Sequence, residues 1–484
     1  MGGVTTGRRP GGWSGVWLGL ALVLGCSSSD GGKTGGGGQA AGPRPGPEEW
    51  NREVVPPSDE EAAAARASCG YRAGALAAET QGASFPMGDD IPIDHMVVVM
   101  MENRSFDHYF QKLPEYGQPD VDVAPADFSN LDRDGNPTPI FHQEAYCFVD
   151  TNHGYGGTHD QVNGGLMDGF VTTNEGNHEM PAMGNLEMFH GRRAMGYYDE
   201  TDIPFYYWLA NEFSVADRYF SSLPGPTLPN RMYLYAATSY GKVHNSLPGP
   251  MDLIVDYLDA REIEWKIYAE ASPAIAIFVS RGSELFDRVV PIEQYYEDAA
   301  AGTLPPFAFV DPGLGIGTGS YDNDDEHPPA LAQIGQRFVA DVVEALTESP
   351  LWSRSALMLT YDEHGGLYDH VEPPPACVPD DVAPETEPGD PEKPFDRLGI
   401  RVPLIVVSPF AKKHHVSHEI YDHTSILKLV EARWVMPALT HRDANALAPW
   451  DMFDFDDPPH LDPPAVSLPP IPDAELEACG AVFE

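Results

Sequence analysis

A chain of 484 residues that is 42% hydrophobic and 10% aromatic has ample material for a large core. Its length suits two or three domains, or one large α/β domain carrying insertions. Its 74 acidic residues outnumber 29 Lys and Arg, and the net charge of −45 is spread along the chain, which argues against nucleic acid as a partner.

Arg8 and Arg9 precede an apolar run from Trp13 to Leu24, followed by Gly25, Cys26 and a Ser/Gly-rich stretch. That is the layout of a secretory signal, with an apolar run too short to span a bilayer comfortably. Val23-Leu24-Gly25-Cys26 resembles the lipobox of bacterial lipoproteins. The resemblance implies a signal peptide over 1–26, lipidation of Cys26, export, and a membrane tether on the bacterial cell envelope. An ordinary signal peptide cut elsewhere is the alternative. Residues 27–60 begin rich in Gly, Ser and Pro and are expected to form a flexible tether, with a short Ala-rich helix following before Cys69. The folded domain is expected over 61–484. Cys69, Cys147, Cys377 and Cys479 form an even set in an exported chain, so two disulfides are expected. Cys69 with Cys479, clipping the ends together, and Cys147 with Cys377 are the favoured pairs among three possible connectivities.

Met96 to Met101 reads as a strand buried on both faces that ends abruptly in Glu102-Asn103. Residues 111–200 are rich in Gly, Asn, His and Met and lack clear periodicity, as expected of an insertion over a site. Asp132-Arg-Asp-Gly-Asn within it reads as a tight turn, because the remaining ligands of a calcium loop are missing. A helix from Ile203 runs into a strand over Phe213–Phe220. Helical stretches at Met251–Arg261 and Pro291–Ala301 then alternate with strands at Glu264–Ala269 and Pro306–Asp311. Leu331, Ile334, Phe338, Val342 and Leu346 mark the apolar stripe of a helix reaching Thr347. Beyond it come a strand at Ser355–Tyr361, a Pro-rich acidic loop over 372–394, a strand at Val402–Val407, a helix at Thr424–Trp434 and a Pro-rich tail. Alternation of this kind predicts an α/β fold of three layers, α/β/α, with a mostly parallel central sheet and right-handed crossovers.

Ligand-binding groups in such sheets collect at the carboxyl ends of the strands. Glu102 and Asn103 emerge there from one strand, Asp362 and Glu363 from another. Buried together, these acids cannot all stay ionised without a cation, and hard oxygen ligands favour Ca²⁺ or Mg²⁺. Gly365-Gly366 would let the backbone pass close to a ligand, and His370 would reach back towards it. In Leu223-Pro-Gly-Pro-Thr227-Leu-Pro-Asn230-Arg231, prolines stiffen the backbone around one hydroxyl. Thr227 is thus either a metal-activated nucleophile or a helix N-cap, while Asn230 and Arg231 would supply donors to a phosphoryl oxygen. His159 and His327 could contact a phosphoryl oxygen or protonate a leaving alkoxide. His142, His153, His190, His414, His415 and His418 read as surface or structural residues.

Four ordered stretches, Glu102–His108, Thr227–Arg231, Asp362–Val371 and Gly399 through Pro409, resemble the successive signatures of the phosphoesterase family, which includes phospholipases C and an acid phosphatase branch. The resemblance implies an alkaline-phosphatase-like fold, phosphoester hydrolysis, and Glu102, Asn103, Asp362 and Glu363 around a metal with Thr227 forming a phospho-enzyme intermediate. His159 and His327 also lie in segments resembling the family's. Gln111 stands where the first signature usually has Gly, and the long C-terminal extension of the phospholipase branch is missing, which leaves the substrate open. A phospholipase C-type diester comes first, soluble phosphomonoesters second. A non-catalytic surface protein using the metal to bind a phosphorylated ligand is the reading from another class.

Overall fold

Three consecutive valines flanked by methionines give His95–Met101 (β1) β-branched and flexible apolar side chains that fill both faces of a sheet, and all but His95 are buried. The computed structural model describes residues 48–176, 190–315 and 320–483, all within the unit Pro45–Glu484. The remaining sheet strands are β2 (Ser214–Ala216), β3 (Trp265–Ala269), β4 (Val289–Pro291), β5 (Phe307–Asp311), β6 (Ser355–Tyr361), β7 (Leu404–Val407) and β8 (His415–Ser417). They lie in the order β8-β2-β7-β6-β1-β5-β3-β4, which puts β1 near the middle. Pairing is parallel except where β7 meets β6 and β2. β7 runs backwards because the chain leaves β6 at its carboxyl end, stays on that rim through residue 403, and re-enters with Leu404 opposite Thr360.

The α-helices of five residues or more are α1 (Asp59–Ala67), α2 (Phe106–Phe110), α3 (Tyr155–Val162), α4 (Pro204–Glu212), α5 (Thr227–Ala236), α6 (Ile254–Ala260), α7 (Ile292–Ala301), α8 (Ala332–Thr347), α9 (His423–Trp434) and α10 (Asp473–Phe483). α8 and α9 each bury most of their residues, covering the sheet in the three-layer α/β/α arrangement that the alternation predicts.

Three expectations change. The signal segment and Cys26 lie outside the described residues, but Trp50, inside the expected tether, is buried with its ring 5.3 Å from that of Tyr257. Residues 213–220 form two short strands instead of one: Ser214–Ala216 joins the main sheet, while Tyr219–Phe220 pairs with Tyr421–Asp422. The disulfides are Cys69–Cys377 and Cys147–Cys479, against the expected pairs. Cys377, on the Pro-rich loop, packs over the end of α1, its sulfur 3.8 Å from the Arg66 carbonyl, and Cys147 in the insertion meets α10. Each end of the domain is therefore stapled to an internal loop that folds over it. Among the described residues no helix is long and apolar enough to cross a membrane.

Candidate active site

β1 and β6 are parallel neighbours with Met101 opposite Tyr361. The next residues, Glu102 and Asp362, therefore leave the sheet at one level. Asn103 turns the chain sharply with a φ of +63°, which asparagine tolerates better than most residues, and its N–H donates to Asp362 Oδ1 at 3.1 Å. Gly365 and Gly366 both have positive φ, and a Cβ on them would lie 2.3 Å from the Asn103 carbonyl oxygen and 2.6 Å from that of Asn152. The close approach expected of these glycines is thus to the protein's own backbone.

Thr227 is the first residue of α5, and its Oγ1 donates to Glu102 Oε1 at 3.2 Å instead of capping the helix. Asn230 fixes the loop before it: Oδ1 accepts from the Leu223 N–H at 3.0 Å, and Nδ2 donates to Gly225 O at 2.9 Å. Arg231, one turn after Thr227, donates from Nε to Asp362 Oδ2 at 3.1 Å and from its terminal nitrogens to Met100 O and Met101 O, with Glu102 Oε2 at 3.7 Å. Asn230 and Arg231, expected to donate to a phosphoryl group, here direct these donors to the loop and the acids.

Burial, reinforced by Glu102 and Glu363, outweighs Arg231 and pushes Asp362 up to about 8. Burial also works on Glu363, but the His153 and His364 imidazoles prevail and hold it down at about 2. His153, assigned from sequence a structural role, lies at the centre: Nδ1 is 2.6 Å from Glu363 Oε1, Nε2 is 3.4 Å from Asp150 Oδ2, and its ring is 5.5 Å from that of His327. The ligand atoms of Asp150, His153 and His327 lie within 4.8 Å of one another. Asp150 and His153 are thus the site residues that sequence reasoning missed; the Asp-Thr-Asn-His spacing was visible, but in a segment without periodicity.

These residues suit a divalent cation. Glu102, Asp362 and Glu363 are buried beside Arg231, a balance that leaves negative charge to be met. The buried Asn103 Oδ1 has no hydrogen-bond partner. Arg231 stands between Glu102 and Asp362, and the Asp150-His153-His327 set lies beside the expected quintet of Glu102, Asn103, Thr227, Asp362 and Glu363 through the contact of His153 with Glu363.

His159 takes a place on the wall. Its Nδ1 is 2.8 Å from Tyr155 O and its ring 4.4 Å from the Tyr155 ring, which in turn packs against Gly225 of the Thr227 loop. His370 does not reach back to the site: Nδ1 is 2.6 Å from Asp107 Oδ2 and Nε2 is 3.2 Å from Asp122 Oδ1, beside Arg401. Asp369 and Asp107 turn it aside because Arg401 holds both carboxylates. That guanidinium already fills the charge role a cation would take there.

His370 carries a pH prediction. Burial lowers its pKa, but Asp107 and Asp122 prevail and raise it to about 10. Its contribution to stability is therefore fully present below the ordinary histidine pKa of about 6.5 and is lost as pH rises through about 10. The difference in urea unfolding free energy between wild type and H370Q should shrink by about 1–3 kcal/mol from pH 6 to pH 10. A difference independent of pH would refute the pairing.

The phosphoesterase family model matches residues 93–437. The chain is 34% identical over 406 residues to non-specific phospholipase C6 of Arabidopsis thaliana, covering 78% of this chain and 75% of that protein. It is 29% identical over 457 residues to phospholipase C B of Mycobacterium tuberculosis, covering 82% and 84%. A solved Vibrio parahaemolyticus protein described as in the alkaline phosphatase superfamily aligns over 77% of this chain and 94% of that one, at 11% identity and a TM-score of 0.33, a likeness too slight to carry an argument. All four signatures lie within the matched span, and the chain belongs to the phosphoesterase family and is a hydrolase of phosphoric esters.

Proposed function

We propose that this chain is a metal-dependent phospholipase C-like enzyme that cleaves a phosphatidylcholine-type diester with Thr227 as nucleophile. The contact of Thr227 Oγ1 with Glu102 Oε1, at the start of α5, carries the reading. It places a hydroxyl beside a carboxylate able to take its proton. The names of the relatives, phospholipases C from plant and bacterium, point to the same substrate class.

Glu102, Asn103, Asp362 and Glu363, with Asp150 and His153 alongside, would hold a divalent ion such as Ca²⁺ or Mg²⁺. When bound, such an ion neutralises phosphoryl charge and lowers the pKa of a nearby hydroxyl. Glu102 takes the proton of Thr227 as Oγ1 bonds to phosphorus and the bond from phosphorus to the glycerol oxygen breaks. That oxygen takes a proton from His327. Burial lowers the pKa of His327, but Asp150 and Glu102 outweigh it and raise it, which favours the protonated form. The threonine is left as a phosphate ester. Water next attacks phosphorus, giving a proton to the now neutral His327, while Thr227 Oγ1 departs and recovers its proton from Glu102. Phosphorylcholine and diacylglycerol are the products. His159 packs on Tyr155 beside the Thr227 loop, and Asn230 and Arg231 hold the nucleophile loop and the acids in place.

The signal segment would export the enzyme, and lipidation of Cys26 would tether it to the bacterial envelope beside its lipid. A net charge of −45 favours zwitterionic over anionic head groups. The test is hydrolysis of p-nitrophenylphosphorylcholine and p-nitrophenyl phosphate with added Ca²⁺ or Mg²⁺ and with chelator. The diester should be preferred by about tenfold in kcat/KM, and chelation should cut turnover by about a hundredfold until metal is returned. Preference for the monoester would move the assignment to soluble phosphomonoesters. Turnover of neither would leave a surface protein that binds metal or a phosphorylated ligand.

A further inference from the structure

Glu326 is fully buried, yet it lies outside the chemistry above. Three phenols donate to its carboxylate: Tyr109 at 2.6 Å and Tyr361 at 2.8 Å to Oε2, and Tyr206 at 2.5 Å to Oε1. Its backbone has a φ of +75°, the left-handed region that side chains other than glycine rarely occupy. Arg104, from the first signature, clamps its carbonyl with Nε at 3.0 Å and a terminal nitrogen at 2.6 Å, and reaches Ala330 O at 3.2 Å. A strained turn fastened at both side chain and backbone is over-determined, and such turns persist where they set a geometry.

The geometry here belongs to the residues on either side. Asp325 O accepts the N–H of Glu102 at 3.0 Å. Asp325 Oδ1 accepts the N–H of His327 at 3.0 Å, and His327 Nδ1 is 2.7 Å from Pro328 O, so Nδ1–H donates there and Nε2 is left to the site.

A second observation comes from α8. Gly335 sits in the helix interior, where glycine is less stable than alanine. A Cβ at that position would lie 2.2 Å from Glu326 Cγ and 2.5 Å from Oε1. The helix thus forgoes a side chain at the place where the Glu326 carboxylate needs room.

We infer that Glu326 is a positioning residue: caged by Tyr109, Tyr206 and Tyr361 and accommodated by Gly335, it locks the 325–327 turn so that His327 and Glu102 are held in register for proton transfer. This rests on the proposed roles of those two residues. It acts through them and touches no substrate.

The test is a mutant cycle assayed with p-nitrophenylphosphorylcholine. G335A introduces one methyl group into a helix that otherwise favours alanine, and E326Q keeps shape while replacing one acceptor oxygen by an amide. Each should lower kcat by about tenfold with KM within about twofold, and in the double variant the losses should not multiply, because both act on one carboxylate. Y206F, which removes a single donor and keeps the ring, should lower kcat by about threefold and serves if E326Q does not fold. An unchanged kcat in G335A, losses that multiply, or a change confined to KM would overturn the inference. Wild type and T227A run alongside: an active wild type with a silent T227A and a normal G335A sinks the positioning role alone, while an inactive wild type sinks the catalytic reading and this inference with it.

Discussion

T227A is expected to keep the fold and to lose turnover of the choline diester by about 10⁴-fold. Thr227 Oγ1 is the hydroxyl that the Leu223-Pro-Gly-Pro loop, the Asn230 carboxamide and the start of α5 together present to Glu102. Removing it deletes the atom that bonds to phosphorus, while the acids, Arg231 and the imidazoles remain in place. The loss of one methyl and one hydroxyl should lower stability by only about 1 kcal/mol. Serine, which restores the hydroxyl, should recover a substantial part of the rate, and rapid mixing with the choline diester followed by mass spectrometry should find residue 227 carrying phosphorylcholine in wild type and not in T227A. Turnover by T227A within tenfold of wild type would eliminate the covalent route.

R401M should be the most destabilising single change considered, by about 3–5 kcal/mol, measured as a shift of the urea midpoint. Arg401 is fully buried, donating to Asp107 Oδ1 and Asp369 Oδ1, each at 2.9 Å, and to Asp217 O at 2.8 Å. Methionine fills similar volume but leaves two buried carboxylates facing each other with only His370 between them and neutrality. Burial, opposed by Arg401, already pushes Asp369 up to about 6, so the deficit should narrow at pH 5, where that carboxyl takes a proton. A midpoint unmoved at pH 7 would show that the network carries no net stability. Asp107, Asp369 and Arg401 belong to the first, third and fourth signatures, so much of what those stretches share is a common frame and not chemistry.

The regular elements were the legible part. β1, β6 and α8 announce themselves by apolar runs of the right length or by a 3.6-residue stripe, because burial on two faces or one face leaves a periodic trace. The acids at the ends of β1 and β6 could be assigned to one rim from the same logic, and Thr227 from the rigidity of its loop. His153 and Asp150 could not. They come from the insertion, where nothing periodic says which way a side chain points. His370 shows the reverse case, a histidine close in sequence to Asp362 and Glu363 that Asp107 and Asp122 draw elsewhere.

Local pattern, then, settled which residues form strands and helices and which carboxylates leave them, since those depend on neighbours a few positions apart. Contacts between distant segments were decided only by the folded chain: Cys69 to Cys377, Cys147 to Cys479, His153 to Glu363, and Glu326 to Tyr109. Such contacts depend on how loops cross the sheet rim, and the entropy of closing a loop changes too slowly with its length for spacing along the chain to pick out one partner.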